Sequence, residues 1–430
     1  MVTTQIPLYN ELNVAERIIR AVAKFDYPQG KHQIQVVDDS TDETIDLVDR
    51  VVAELQADGV QIEACRRSDR QGYKAGALKE AMATATGEYF AIFDSDFVPD
   101  ADFLKKTLPL FQDEKTGLVQ ARWGHLNAEY STLTKAQSVG IDGHFVIEQV
   151  ARAENGLFLN FNGTAGVWRR AAIEDGGGWQ ADTLTEDLDL SYRCQLRGWK
   201  LDYAIDVVVP AELPETYSGF KSQQFRWAKG SVQTAKKLIV TVLNSPISLL
   251  AKMQACFHLL HYVAHLLMFT LALLALPLTF FLPKFSGIGG TIFLIIPLMV
   301  ATLGPSILYM TSQRYLHPKT WTRRILWLPS MVTVGFGICI SNSRAVLEAL
   351  FGVKSGFIRT PKKGERVAKT YHTKIDWLPF AEIAAGFYCV ATMVAFVVRG
   401  VPGGLVFFFF YGVGFFVIGL GTYLEKRSRA

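Results

Sequence analysis

Five polar stretches combine residue types and spacings suited to chemistry. Asp94-Ser95-Asp96 follows the apolar run 89–93. Residues i and i+2 of an extended chain point the same way, so the two carboxylates share one side. Such a pair suits Mg²⁺ or Mn²⁺, hard ions that take oxygen ligands and share coordination with phosphates. The plain alternative is a polar turn before a helix. Asp38-Asp39-Ser40 follows the run 34–37. An ionised Asp there can accept the imide N–H of a uracil ring, although Asp and Ser are also favoured helix N-caps. Lys74, in RQGYKAGAL, is either a point charge for a phosphate between small residues or a solvated lysine in a first helical turn. Thr185-Glu186-Asp187 opens a helical run that ends near Gly198. Such residues suit any helix start. A carboxylate fixed there could also remove a proton from a sugar hydroxyl, a service worth about 10²–10⁴ in rate.

Gln223, Arg226 and Trp227 sit at i, i+3 and i+4, on one helical face. Arg226 there could neutralise a leaving diphosphate and Trp227 could stack on a pyranose; Trp and Arg are equally common as membrane-interface anchors. His258, His261 and His265 share another face. No acid or cysteine joins them, so they read as interface or channel lining rather than as a metal site.

The elements around these residues follow from periodicity. Strands are expected over 2–7, 33–37, 60–65 and 89–93, separated by helices over 11–25, 41–55 and 74–85. Strands alternating with helices of this length imply a Rossmann-like α/β fold with a mostly parallel sheet, whose ligands bind beyond the carboxyl ends of the strands. The acidic runs at 38–43 and 94–96 lie there. Residues 126–245 are mixed, with a helix near 131–153 and a glycine-bearing stretch, FNGTAGVWRR. Neither GxGxxG nor GxxxxGK[ST] occurs, so a dinucleotide fingerprint and a P-loop are unsupported.

Charge and hydropathy divide the 430 residues in two. Residues 1–245 carry 35 of the 40 Asp+Glu and 26 of the 44 Lys+Arg, a balance of −9; residues 246–430 stand at +13. An acidic front excludes a broad nucleic-acid surface. The apolar, basic back half reads as membrane, with spans expected at about 256–282, 288–310, 378–398 and 405–420. Five spans would place the eight Lys/Arg of 344–377 outside, whereas four keep them in the cytoplasm with the front domain and the C-terminus. Residues 321–350 and 223–243 then become interface helices. The five cysteines form no CxxC pair, which argues against zinc or a disulfide framework. The chain opens directly on a strand, so a truncated form or a late start codon is expected.

In this order and spacing, VVDDS, RQGYKAGAL, DSD, TED and QQFRW resemble family two glycosyltransferases of the cellulose synthase-like superfamily. LTEDLDLSYR and ELPETYSGFKSQQFRWAKGSVQ look closest to the mannan synthase-like branch. The resemblance covers roughly 2–420. It implies a cytosolic GT-A domain (1–245), a membrane domain (246–430) and inverting transfer from a nucleotide sugar. Asp38 and Asp39 would hold the nucleoside, Lys74 the phosphates, and Asp94 and Asp96 a Mg²⁺- or Mn²⁺-bridged diphosphate. Asp187 would be the base within Thr185-Glu186-Asp187, and Arg226 would meet the diphosphate. Gln223 and Trp227 would shape the acceptor end, with Asn162, Gly163 and Thr164 of FNGTA nearby. FIRTPKK resembles a gating loop (354–366) with Phe357, Thr360 and Lys362; it departs from the family pattern at Arg359 and Lys363.

Relatives usually carry spans ahead of the catalytic domain, so translocation is less firmly implied than transfer. The expected donor is UDP-glucose first and GDP-mannose second, and the expected acceptor a growing β-glycan, with accessory export subunits possible. Non-processive glycosylation of a lipid is the alternative, and an inactive membrane scaffold the third reading.

Overall fold

The computed structural model describes residues 1–281, 303–354, 377–400 and 404–427. Seven strands build the front: β1 (Val2–Leu8), β2 (His32–Asp38), β3 (Ile62–Cys65), β4 (Tyr89–Ile92), β5 (Thr116–His125), β6 (Gly166–Arg169) and β7 (Lys200–Ala211). They form one sheet in the order β3-β2-β1-β4-β6-β5-β7. Neighbours are parallel except where β6 runs antiparallel to β4 and β5. Helices α1 (Ala15–Ala23), α2 (Thr44–Ala57) and α3 (Tyr73–Ala81) connect the first four strands, as the periodicity predicts.

Both faces of the sheet are covered, as a parallel sheet requires. Phe90 and Ile92 of β4 pack with Leu78, Trp168 and Leu190. Ala91, between them, and Phe93, just beyond the strand, join Ile18, Val48 and Phe103 on the opposite face. Burying each large side chain stabilises the sheet by roughly 1.5–3 kcal/mol. The reversed β6 has a functional consequence. Its leading residues, Asn162–Ala165, lie at the same rim as the carboxyl ends of the parallel strands.

Helix α4 (Thr132–Gly143) begins in a capping box made by Ser131 and Thr134. Six π-helical residues, His144–Gln149, follow it. Helix α5 (Glu186–Leu196) carries the TED acids in its first turn, and α6 (Tyr217–Asn244) carries the QxxRW face.

Among the described residues, three helices are long and apolar enough to cross a membrane: α8 (Val263–Phe281), α11 (Leu378–Arg399) and α12 (Leu405–Arg427). The first starts later than predicted, because α7 (Leu249–Leu260) is a separate helix broken from it at His261-Tyr262. Most of the span expected at 288–310 lies outside the described residues; helix is described over 303–316. The helix expected as one piece over 321–350 is two, Trp321–Gly337 and Cys339–Leu350, bent by 44°. The pair qualifies as a fourth span if counted as one. Its first part ends in α9 (Leu328–Gly337), against α4 and α12; its second, α10, packs between α6 and α8.

Candidate active site

A cleft enclosing about 1310 Å³, mouth included, runs along the strand ends. The sheet order sets the order of its walls. Asp39 follows β2, Asp94 and Asp96 follow β4, Asn162 and Gly163 precede β6, and the ends of β5 and β7 close the far side.

At the β2 end, both oxygens of Asp39 accept from Arg67, at 2.7 and 2.6 Å. Arg70 lies 3.3 Å over the ring of Tyr9, and both face the cleft. A flat, charged floor of this kind suits a nucleobase. Asp38 does not line the cleft. It is 2% exposed, its Oδ1 accepts the Ser40 N–H and its Oδ2 accepts from Arg66, so it shapes the turn behind Asp39.

In the middle, Lys74 Nζ donates to Asp94 Oδ1 at 2.5 Å and to the Gly163 carbonyl at 2.7 Å. Gly163 has φ +82°, in the left-handed region open to glycine. A Cβ added there would stand 2.9 Å from Asp187 Oδ2 and 3.7 Å from Lys74 Nζ. One glycine and one ammonium therefore separate Asp94 from Asp187, and the glycine leaves room for both. Thr164 sits behind this point, 1% exposed, its Oγ1 accepting the Asp94 N–H at 2.8 Å.

The electrostatics follow from crowding four acids around two cations. Burial, then the neighbouring Glu186, pushes Asp187 up to about 7, with Lys74 opposing. Burial lowers Lys74, but Asp94, Glu186 and Asp187 outweigh it and leave the ammonium above its usual range. Burial draws Arg226 down, while Glu186, Asp94, Asp187 and Asp96 pull the other way. The guanidinium therefore feels every acid of the site.

Gln223, Arg226 and Trp227 line the far side with Thr185 and Glu186. Trp227 is half-buried and packs against the apolar cluster that includes Tyr262 and Ala345. The TED turn rests on α6: the Leu184 N–H donates to Gln233 Oε1 at 2.9 Å, and a Cβ on Gly230 would meet Thr185 Cγ2 at 2.5 Å. Helix α6 is in turn fastened to the membrane helices. Glu425 of α12 accepts the Tyr217 and Ser218 N–H groups at its start, Lys221 contacts both oxygens of Glu382, and Lys229 meets Glu348 at 2.7 Å.

Twelve of the residues singled out from sequence thus line one cleft: Asp39, Lys74, Asp94, Asp96, Asn162, Gly163, Thr185, Glu186, Asp187, Gln223, Arg226 and Trp227. Phe357, Thr360 and Lys362 lie outside the described residues. The histidine face is taken up in packing. His258 meets the Tyr192 hydroxyl at 2.8 Å and Arg152 at 3.2 Å, and stacks on His261. Tyr9, Arg70, Trp123, His125 and Pro214 also line the cleft and escaped the motif reading, though Trp123 and His125 end a strand on the same rim.

Among the described residues, no cluster of three His, Cys, Asp or Glu could hold a metal by itself. Asp94 and Asp96 fit a hard divalent ion that completes its shell from a ligand's phosphates, and Asp94 is 37% exposed toward such a ligand.

Fold and cleft together define a GT-A glycosyltransferase joined to a helical membrane region. The family model described as glycosyltransferase like family 2 matches residues 2–230, and the chain belongs to that family, within its cellulose synthase-like superfamily. Glucomannan 4-beta-mannosyltransferase 1 of Oryza sativa subsp. japonica is 33% identical over 443 residues, covering 98% of this chain and 82% of the relative. Glucomannan 4-beta-mannosyltransferase 7 of Arabidopsis thaliana is 34% identical over 444 residues, covering 98% and 76%. Among solved structures, mannosyltransferase PcManGT from Pyrobaculum calidifontis, in complex with GDP-Man and Mn²⁺, shares the fold with a TM-score of 0.56 at 22% identity, over 82% of this chain and 88% of that one.

Proposed function

We propose that the protein transfers mannose from GDP-mannose to the end of a growing β-linked mannan, with inversion at the anomeric carbon. The observation that carries this is the convergence of Asp94, Lys74, Asp187 and Arg226 on one cleft in a chain whose long relatives are named mannosyltransferases. UDP-glucose, ranked first on motifs, gives way to GDP-mannose. The motifs hold phosphates and acceptor but do not read sugar hydroxyls, whereas the relatives' names specify the sugar.

Asp39 and Arg70, with Tyr9, receive the base. Lys74 and Arg226 meet the diphosphate. Asp94 and Asp96 would hold a divalent ion, Mg²⁺ or Mn²⁺, which would neutralise diphosphate charge; the structural neighbour PcManGT is in complex with Mn²⁺. Asp187 takes the proton of the attacking hydroxyl as its oxygen bonds to C1 and the bond from C1 to the diphosphate breaks. A base poised at about 7 is matched to that task. Trp227 stacks on the acceptor sugar and Gln223 contacts its rim. The catalytic domain (1–245) and the C-terminus face the cytoplasm, in keeping with the basic loops of the membrane domain (246–430).

The test is to incubate the purified membrane protein with a panel of labelled nucleotide sugars and Mg²⁺ or Mn²⁺, then size the product. Polymer from GDP-mannose is expected. Polymer from UDP-glucose alone would overturn the donor assignment, and a chloroform-soluble monoglycoside as the sole product would overturn elongation.

A further inference from the structure

His125 ends β5 on the rim opposite Asp39, and its ring lines the cleft although its side chain is only 9% exposed. Its Nε2 lies 2.9 Å from Asp142 Oδ1. A carboxylate accepts only, so Nε2 donates to Asp142 and Nδ1 is the ring nitrogen left for a ligand. No hydrogen-bond partner of Nδ1 occurs among the described residues, and the atom is not among the enclosed unpaired ones. Asp142 is itself 4% exposed and locked from its other side: Gln313 Nε2 donates to its Oδ2 at 2.8 Å, and Arg324 Nε donates to Gln313 Oε1 at 2.6 Å. Gln313 stands in the helical stretch 303–316, outside the catalytic sheet. A chain of three hydrogen bonds thus fixes the orientation of one imidazole at the end of the cleft away from Asp39.

We infer that His125 is an acceptor-binding residue, its Nδ1 accepting a hydroxyl of the acceptor sugar next to Trp227. A surface that merely closed the cleft would need no ring nitrogen, no buried carboxylate and no glutamine reaching across from another element. Asp142, Gln313 and Arg324 act through His125 and are positioning residues.

This rests on the transfer reading above, and the experiment separates the two. His125→Phe keeps an aromatic ring and removes both nitrogens; His125→Gln keeps polar atoms at the end of the side chain. KM is measured for an added β-mannan oligosaccharide and, separately, for GDP-mannose, with GDP–Mn²⁺ binding followed by calorimetry. The expected result for His125→Phe is an oligosaccharide KM raised about tenfold, the value of one ordinary hydrogen bond, with donor KM and GDP binding within twofold of the parent. His125→Gln should recover most of the loss. An oligosaccharide KM within twofold of the parent in His125→Phe would overturn the inference. So would a parallel rise in donor KM, which marks general damage. If the parent enzyme ignores GDP-mannose, the donor reading fails instead, and the same KM split is then measured with the donor it does use.

Discussion

The two ends of the cleft are held by different means. The β2 end is built from the first 96 residues: Asp39 clamped by Arg67, Arg70 laid on Tyr9, and Lys74 tied to Asp94. The opposite end is carried by α6, which is fastened to Glu425, Glu382 and Glu348, all from membrane-region helices. On the proposed function, donor binding would be a property of the sheet, and transfer a property of the sheet and membrane helices together. Disturbing the fastenings should damage turnover while sparing nucleotide affinity.

The largest effect on stability is expected from Lys221→Met, which takes away the buried ammonium that meets both oxygens of Glu382. Such a break costs about 3–5 kcal/mol. Thermal unfolding in detergent should drop sharply, and the double variant Lys221→Met with Glu382→Leu should recover much of it. Next comes pH. On the proposed function Asp187 works only as the carboxylate, and with burial pushing it up to about 7 the base would be lost as pH falls through that value. Lowering the pH from 7 to 5 should cut kcat/KM by about fiftyfold, while GDP binding changes far less. A flat profile over that range would remove Asp187 as the titrating base.

Gly230→Ala presses a methyl group onto Thr185 and should cost about 1–3 kcal/mol. Because the TED turn is displaced, kcat should fall with donor KM unchanged; a change in donor KM alone would break the division between the two ends. The smallest effect belongs to Glu425→Gln, which removes a negative charge from the start of α6 and is worth about 0.3–1 kcal/mol. Unfolding midpoints compared at low and high salt would resolve it.

Much of this organisation was legible in the sequence, because β1–β4 and their helices bury strongly periodic faces and their acids fall where a parallel sheet binds ligands. Strand β6 was not, being four residues inside a glycine-bearing stretch, too short to show a period. Its reversed direction comes from tertiary pairing, yet it brings Asn162 and Gly163 to the rim. Asp38 and Asp39 look alike in sequence, but one residue of strand alternation turns Asp38 inward and Asp39 into the cleft. His125 carried no motif. Its significance depends on Asp142 and Gln313, which are 17 and 188 residues away and meet it only in the folded chain. The bend between Trp321–Gly337 and Cys339–Leu350 falls at Gly337, a residue visible in the sequence, but a glycine is also tolerated inside an unbroken helix.

The most direct measurement is made on the Asp187→Asn variant, comparing GDP–Mn²⁺ binding with polymer formation from labelled GDP-mannose in one preparation. Nucleotide affinity within a few-fold of the parent is expected, with a loss of polymer of about 10²–10⁴. Polymer made at the parent rate would contradict Asp187 as the base.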